Sequence, residues 1–413
     1  MVSRPSIEDA VAAHGGDLGT ALSAVLRSRP TRPRLLGLGE PMHGEEAFPR
    51  LRNELFRHLV EHEGYRSIAI ESDCLAGLLV DGFVTDGVGS LEDVMRRGFS
   101  HGFGESPANR DLVHWMREYN RDRPAEDRLR FFGFDAPIEM TGPDSPRQAL
   151  TALHTYLVAE LRGGQVPHDR KAVDRLLGDD GRWTNPAAAV EPAASVGASA
   201  EAGTLRVIAD DLLAALTSEA PQLVASTSSD EWWQARLYGS TAVGLLRYHA
   251  AMADDAPTRV SRLLGLRDAM MADNLTAICE HQARRGPTLV FAHNRHLQRV
   301  RSRWQLGGQP LRWWSAGAVV GARLADRYAF VAAALGAAPR HGLPAPAPDT
   351  LEGVLATLPG DRHLIDAPRL AGALGRATPL SPRTDTSTGH GYFPLDPDQL
   401  AQIDAVVFLK HLP

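Results

Sequence analysis

RLLGLGEPMH (Arg34–His43) is a short apolar run that ends on a glutamate and a histidine. Three further runs share the pattern: SIAIESD (Ser67–Asp73), LRFFGFDA (Leu129–Ala136) and TLVFAHNRH (Thr288–His296). Runs of Leu, Ile, Val and Phe bounded by Gly or polar residues predict buried parallel strands. In open α/β sheets, ligands bind beyond the carboxyl ends of such strands. If the four lie parallel, Glu40, His43, Glu71, Asp135, His293 and His296 converge on one edge. So many ionisable side chains at one edge predict an enzyme.

The expected fold is α/β, a three-layer sandwich with a largely parallel central sheet, helices on both faces and an inserted helical lobe. At 413 residues the chain exceeds the roughly 250–300 at which one core stops growing. Residues 1–138 read as the first part of the α/β core. Residues 139–263 turn helical and Ala-rich and read as an insertion forming a cleft wall; residues 264–413 read as the second part of the core. Further strands are expected at Arg327–Ala333 and Ala405–Leu409, with a shorter candidate at Leu311–Trp314. Helices are expected over Glu45–Glu63, around Asp111–Tyr119 and over Ser261–Gln282.

Charge and composition narrow the function classes. The net charge of −6 is spread without a basic stripe, so the electrostatic footprint of a nucleic-acid binder is missing. No window reaches the ~18 apolar residues of a membrane span, and the first residues do not read as a secretory signal, which predicts a cytoplasmic protein. Cys74 and Cys279 lack disulfide or metal spacing and are expected to be small buried hydrophobes. The expected partner is a small molecule, with no cofactor; oligomeric state is not encoded in any pattern here.

The turn GLGEPMHGEE (Gly37–Glu46) presents Glu40 and His43 just before a helix. A Glu three residues from a His on a tight turn can orient the imidazole and fix its tautomer, which makes the His a general base near neutral pH. On the following helix Phe48, Leu51, Leu55 and Leu59 trace the core face, and Arg52 falls among them. A buried arginine needs a partner, and Glu71 at the end of the next strand is the natural candidate. Arg267, Met271, Asn274 and Ile278 form a second stripe at i, i+4, i+7 and i+11, so Arg267 and Asn274 are expected to hydrogen-bond across the core or line the pocket. His293 and His296, three apart, have a spacing that also suits zinc, with Glu71, Asp135 or His43 completing the shell. H-E-x-x-H and Cys/His clusters are missing, and imidazoles that hold substrate oxygens serve equally well, so no metal is assigned. Trp232, Trp233, Trp313 and Trp314 are candidates to line a cleft, against the alternative of core packing.

Taken together, G-E-x-x-H-G (Gly39–Gly44), Arg52 nine residues after His43, the I-A-I-E strand end (Glu71), F-G-F-D (Phe132–Asp135), R-D-x-M-M-A-x-N (Arg267–Asn274) and A-H-N-x-H (Ala292–His296) resemble the erythromycin esterase family, in its order. The tail Asp404–Lys410 is similar to the family's final strand. The resemblance implies metal-independent hydrolysis of a macrolide lactone by water. It implies His43 as general base, Glu40 orienting His43 or the water, Arg52 and Glu71 as a supporting pair, and His293 and His296 binding or polarising the lactone, with Asp135, Arg267 and Asn274 at the substrate site. The absence of G-x-S-x-G agrees with water as nucleophile. Residues 139–263 carry no recognisable motif, so two alternatives stand beside this one. One is a tailoring enzyme of secondary metabolism that uses the same base for another ester, an elimination, a cyclisation or an acyl transfer. The other is a binding protein for a small molecule or metal, without turnover.

Overall fold

The computed structural model describes residues 17–161, 166–375, 380–385 and 391–412. Among these, the strands are β1 (Leu35–Glu40), β2 (Ser67–Asp73), β3 (Arg130–Asp135), β4 (Ile138–Glu139), β5 (Gly142–Pro143), β6 (Thr288–His293), β7 (Arg301–Leu306), β8 (Gln309–Trp314), β9 (Tyr328–Ala337), β10 (Arg362–Asp366) and β11 (Ala405–His411). Seven of them form one sheet in the order β10-β11-β9-β1-β6-β2-β3. All its pairings are parallel except β10 with β11. The four runs quoted above therefore lie side by side, as β1-β6-β2-β3, and their ionisable ends share one edge. Antiparallel β10 was not anticipated, because RHLID is short and opens on charged residues. The candidate Leu311–Trp314 is indeed a strand, but it pairs with β7 in a separate two-stranded ribbon.

Strand residues alternate between two cores, as a period of two requires. Leu36, Leu38, Ile68, Ile70, Leu289 and Phe291 point to one face. There they meet the helices Leu18–Ser28, Ala47–His62, Gly77–Asp86 and Pro107–Asn120. Leu35, Ala69, Val290, Ala292 and Phe330 point to the other, against the helix Arg259–His281 and the inserted helices. Leu153 and Leu157 of Arg147–Glu160, Leu205 and Leu212 of Ala200–Ser218 and Leu246 of Ser229–Met252 join this same buried cluster. The inserted helices thus build one outer layer of the sandwich. At about 0.8 kcal/mol per buried CH₂, this double-sided burial is what holds the sheet edge rigid enough to aim side chains. Cys74 and Cys279 are both buried free thiols, as expected.

Two local features place the site. β1 and β6 run in register so that Glu40 lies opposite His293, which brings the first and last motifs together across one ladder. Between Ile70 and Asp73 the β2–β3 register shifts, an irregularity that falls on Glu71 and Ser72. Such breaks re-aim side chains beside functional sites. Gly39 is required by close approach: a Cβ there would stand 2.0 Å from Oδ1 of Asn294. That carboxamide crosses to β9, donating to the Ala333 carbonyl at 2.7 Å and accepting from its N–H at 3.1 Å. Among the described residues, no helix is long and apolar enough to cross a membrane.

Candidate active site

The chain leaves β1 at Glu40, turns through Gly44 at φ +78° and enters the helix at Ala47. Glu40 is buried, and its Oε1 lies 2.7 Å from Nδ1 of His43. A carboxylate at this distance accepts a hydrogen bond from Nδ1–H, so the Nε2 lone pair of neutral His43 faces away from Glu40. Nε2 lies 3.7 Å from Oε1 of Glu71, and 44% of the His43 side chain is exposed. Desolvation lowers the affinity of His43 for its second proton, but the Glu71 charge and then the Glu40 hydrogen bond outweigh it and raise the imidazole above its ordinary value. Burial in turn raises Glu40 above the usual carboxylate range, against the pull of His43.

Glu71 is the hub of the charges. Its Oε2 accepts from the His293 N–H at 2.8 Å, and its Oε1 lies 3.3 Å from Nε2 of His296 and 3.6 Å from the Arg267 guanidinium. Burial alone would raise its pKa; His296, His43 and Arg267 together hold it at about 2. His296 is fixed from its other side by Asp268, whose Oδ1 is 2.8 Å from Nδ1. Against the burial that would lower it, Asp268 and then Glu71 push His296 up to about 9, so it is an imidazolium at neutral pH. Asp268 also accepts from the Ala316 N–H at 2.8 Å and the Trp313 indole at 2.5 Å. His293 is the opposite case. Its Nδ1 accepts from the Arg295 N–H at 3.1 Å, leaving Nε2 to donate to the Pro41 carbonyl at 3.2 Å. Burial, with His43 nearby, drives its pKa well below the ordinary value and keeps it neutral.

Arg52 is fully buried on the core face, as its helical position implied, but its partner is not Glu71. Nε and Nη2 donate to Oδ1 of Asn53 at 3.0 and 2.7 Å, Nη1 donates to Oδ1 of Asn109 at 2.8 Å, and the guanidinium lies 4.9 Å over the Phe291 ring. Neutral amides replace the expected carboxylate because the Glu71 charge is already taken up by His296, His43 and Arg267. With burial outweighing the more distant charges of Glu40 and Glu46, Arg52 falls to about 9. Asn109 is delivered by the helix Pro107–Asn120, whose start is set by Pro107 at the first turn and by Ser106, whose side chain accepts from the Asn109 N–H. Arg267 pairs with Asp135, its Nε 3.0 Å from Oδ1 and its Nη2 2.5 Å from Oδ2. That pairing holds Asp135 well below the usual carboxylate range against the opposing effect of its burial. Asn274 uses its amide to hold the Phe134 carbonyl at 3.0 Å.

Side chains from within 40–52 and 101–109, among them Glu40, Arg52, His101 and Phe103, together with Ile70 and Phe291, enclose a pocket of about 460 Å³ with His43 on its wall, a size within the range of small-molecule sites. None of these lining residues belongs to the stretch 139–263. Of the four tryptophans, Trp233 is buried and stacks on His281 at 4.7 Å, while Trp314 is 52% exposed under Arg301. Among the described residues no three His, Cys, Asp or Glu side chains are arranged to hold a metal ion.

Three contributors were not singled out from sequence: Asp268, Asn109 and His101, whose Nε2 lies 2.9 Å from Oδ2 of Asp135. Asp268 sits inside the R-D-x-M-M-A-x-N motif, so the motif itself held the signal. Asn109 shares the buried face of its helix with Leu112, Val113 and Met116, so a polar residue on that stripe was the available signal; His101 lies between helices, and nothing in its spacing marks it.

A family model described as erythromycin esterase matches residues 60–412. Over 104 residues the chain is 29% identical to erythromycin esterase type II of Escherichia coli; the match spans 25% of this chain and only 24% of that protein. Among solved structures, it is similar to a Bacillus cereus protein at 16% identity and TM-score 0.72, covering 96% of this chain and 92% of that one. A mutant of the erythromycin esterase EreC in its open conformation superposes at 18% identity and TM-score 0.64, covering 95% and 94% of the two chains. At these identities the structures establish a common fold.

Proposed function

The chain belongs to the erythromycin esterase family, and on that premise we propose that it opens a macrolide or related lactone with water activated by His43. The observation that carries this reading is the 2.7 Å contact between Glu40 and Nδ1 of His43. It fixes the tautomer in which Nε2 is the basic nitrogen of an imidazole that opens to the pocket. Water held at Nε2 loses a proton to it as the oxygen attacks the ester carbonyl. The proton then passes to the departing alkoxide, and the product is the hydroxy acid, heavier by one water. General-base help of this kind supplies about 10²–10⁴-fold, so the rest falls to positioning and charge.

In this reading Arg52 acts from beneath the pocket floor, favouring the ionised form of Glu40. Glu71, kept ionised by His296 and Arg267, stabilises the imidazolium that His43 becomes. His293 and His296 have protein partners on both ring nitrogens, so their support runs through the Glu71 carboxylate, which accepts from the His293 backbone N–H and faces the His296 charge. Asp135 and Arg267 brace the same edge, and no metal enters any step.

The test is mass spectrometry of 14-membered macrolides incubated with wild type and His43→Ala, each with chelator. A gain of one water with wild type alone supports the proposal. Unchanged macrolide with folded wild type overturns the macrolide assignment and directs the search to other esters.

A further inference from the structure

Beyond the groups that surround Glu71, the same pocket holds a second imidazole, that of His101. It lies in the segment 98–106, between the helices Leu91–Arg97 and Pro107–Asn120. His101 itself is in the left-handed region at φ +58°, followed by Gly102 at φ +72°. A histidine with a Cβ adopts that conformation only where its surroundings over-determine it. Here they do. One Glu139 carboxylate takes both the His101 backbone N–H, at 2.7 Å, and its Nδ1, at 2.8 Å. Nε2 lies 2.9 Å from Asp135, and the preceding Ser100 is bonded through its N–H to Ser72 and through its hydroxyl to the Asp73 N–H.

With both ring nitrogens engaged by carboxylates, His101 has no N–H or lone pair to offer a ligand. What it does fix is the residue two positions on. The Phe103 ring stands between the two imidazoles, 5.8 Å from His101 edge-on and 5.6 Å from His43. We propose that His101 is a positioning residue: latched to Glu139 and Asp135, it holds Phe103 against His43 and so sets how far the reacting imidazole is open to the pocket. Glu139 belongs to the short β4–β5 hairpin, so the latch is also where the inserted part of the chain reaches the site. The inference rests on His43 as the reacting base for its meaning, but its test needs no substrate.

The experiment is the rate at which diethyl pyrocarbonate acylates His43, followed by peptide mass spectrometry at the alkaline plateau. It compares wild type, His101→Ala, Phe103→Ala, Glu139→Ala and the His101→Ala/Phe103→Ala double variant. Melting temperatures control for folding. The expected result is a several-fold faster reaction of His43 in His101→Ala and Phe103→Ala, with the double variant no faster than Phe103→Ala alone. Because Glu139 is 60% exposed on its side chain, Glu139→Ala tests the same latch with little risk to folding, and His43 should again react faster. Wild-type rates in both latch variants, or additive rates in the double variant, overturn the proposal. Absence of macrolide turnover alongside the expected labelling pattern would count against the esterase reading alone.

Discussion

Asp268→Asn removes the charge that does most to keep His296 protonated while leaving an oxygen for the Ala316 N–H. His296 stands at about 9 against an ordinary 6.5. At about 1.36 kcal/mol per unit, that displacement corresponds to roughly 3 kcal/mol of stability, shared between Asp268 and Glu71. The side chains of His296 and Asp268 are 12% and 1% exposed, so solvent screening takes little from this figure. The sign follows from linkage. A histidine whose pKa is raised on folding contributes fully below about 6.5, and the contribution is lost as the pH climbs through about 9. For 413 residues, an unfolding entropy of about 2.1 cal/mol/K per residue converts 3 kcal/mol into a melting shift of about 4 °C at most. Thermal melts of wild type and variant from about pH 6 to about pH 10 should show a gap that is widest at the acid end and narrows by about 2–4 °C through pH 9. Arg52, also held at about 9, titrates in that window but is present in both proteins and cancels. A gap that stays constant with pH would refute the reasoning, because Asp268 would then act only as a neutral acceptor for Trp313 and Ala316.

Turnover should rise with pH through a single limb above about 6.5, since a base must be deprotonated to act and Glu71 and Glu40 raise His43; Glu71→Gln should move that limb to lower pH, as read in kcat/KM profiles. Asn109→Ala strips the acceptor from Nη1 of fully buried Arg52 and should destabilise the fold by about 1–3 kcal/mol in a melting or denaturant assay. Gly39→Ala places a methyl 2.0 Å from Oδ1 of Asn294, which must let go of Ala333; loss of activity with a lowered melting temperature is expected, and wild-type behaviour would mean that the Asn294–Ala333 bridge is dispensable.

The strands that carry the site were legible because each is buried on both faces, which forces an unbroken apolar run, and because each ends where polar residues must begin. Hydrophobic periodicity also put Arg52 inside the core. The partner expected for it, Glu71, was the wrong one: Asn53 and Asn109 lie on two helices, and no one-dimensional pattern pairs both with Arg52. Asp268 escaped notice because it falls one position off the Arg267–Asn274 stripe, and its partners His296, Trp313 and Ala316 lie 28, 45 and 48 residues further on. His101 depends on a left-handed backbone and a carboxylate on a distant hairpin, neither of which leaves a trace in spacing.

The charges at the sheet edge also explain one another. Four buried carboxylates, Glu40, Glu71, Asp135 and Asp268, would each be costly to ionise alone. Arg267 neutralises Asp135, and His296 lies between Asp268 and Glu71. What remains is divided between Glu40 and Glu71, which approach His43 from its two nitrogens. His43 is therefore the one imidazole here that is substantially exposed and has only a 3.7 Å ion-pair contact, without a hydrogen bond, at Nε2. Its two histidine neighbours titrate away from neutrality in opposite directions, His296 upward and His293 downward. Of the three rings grouped around Glu71, His43 is thus the one left open to take up a proton and give it back, the role the proposed hydrolysis asks of it.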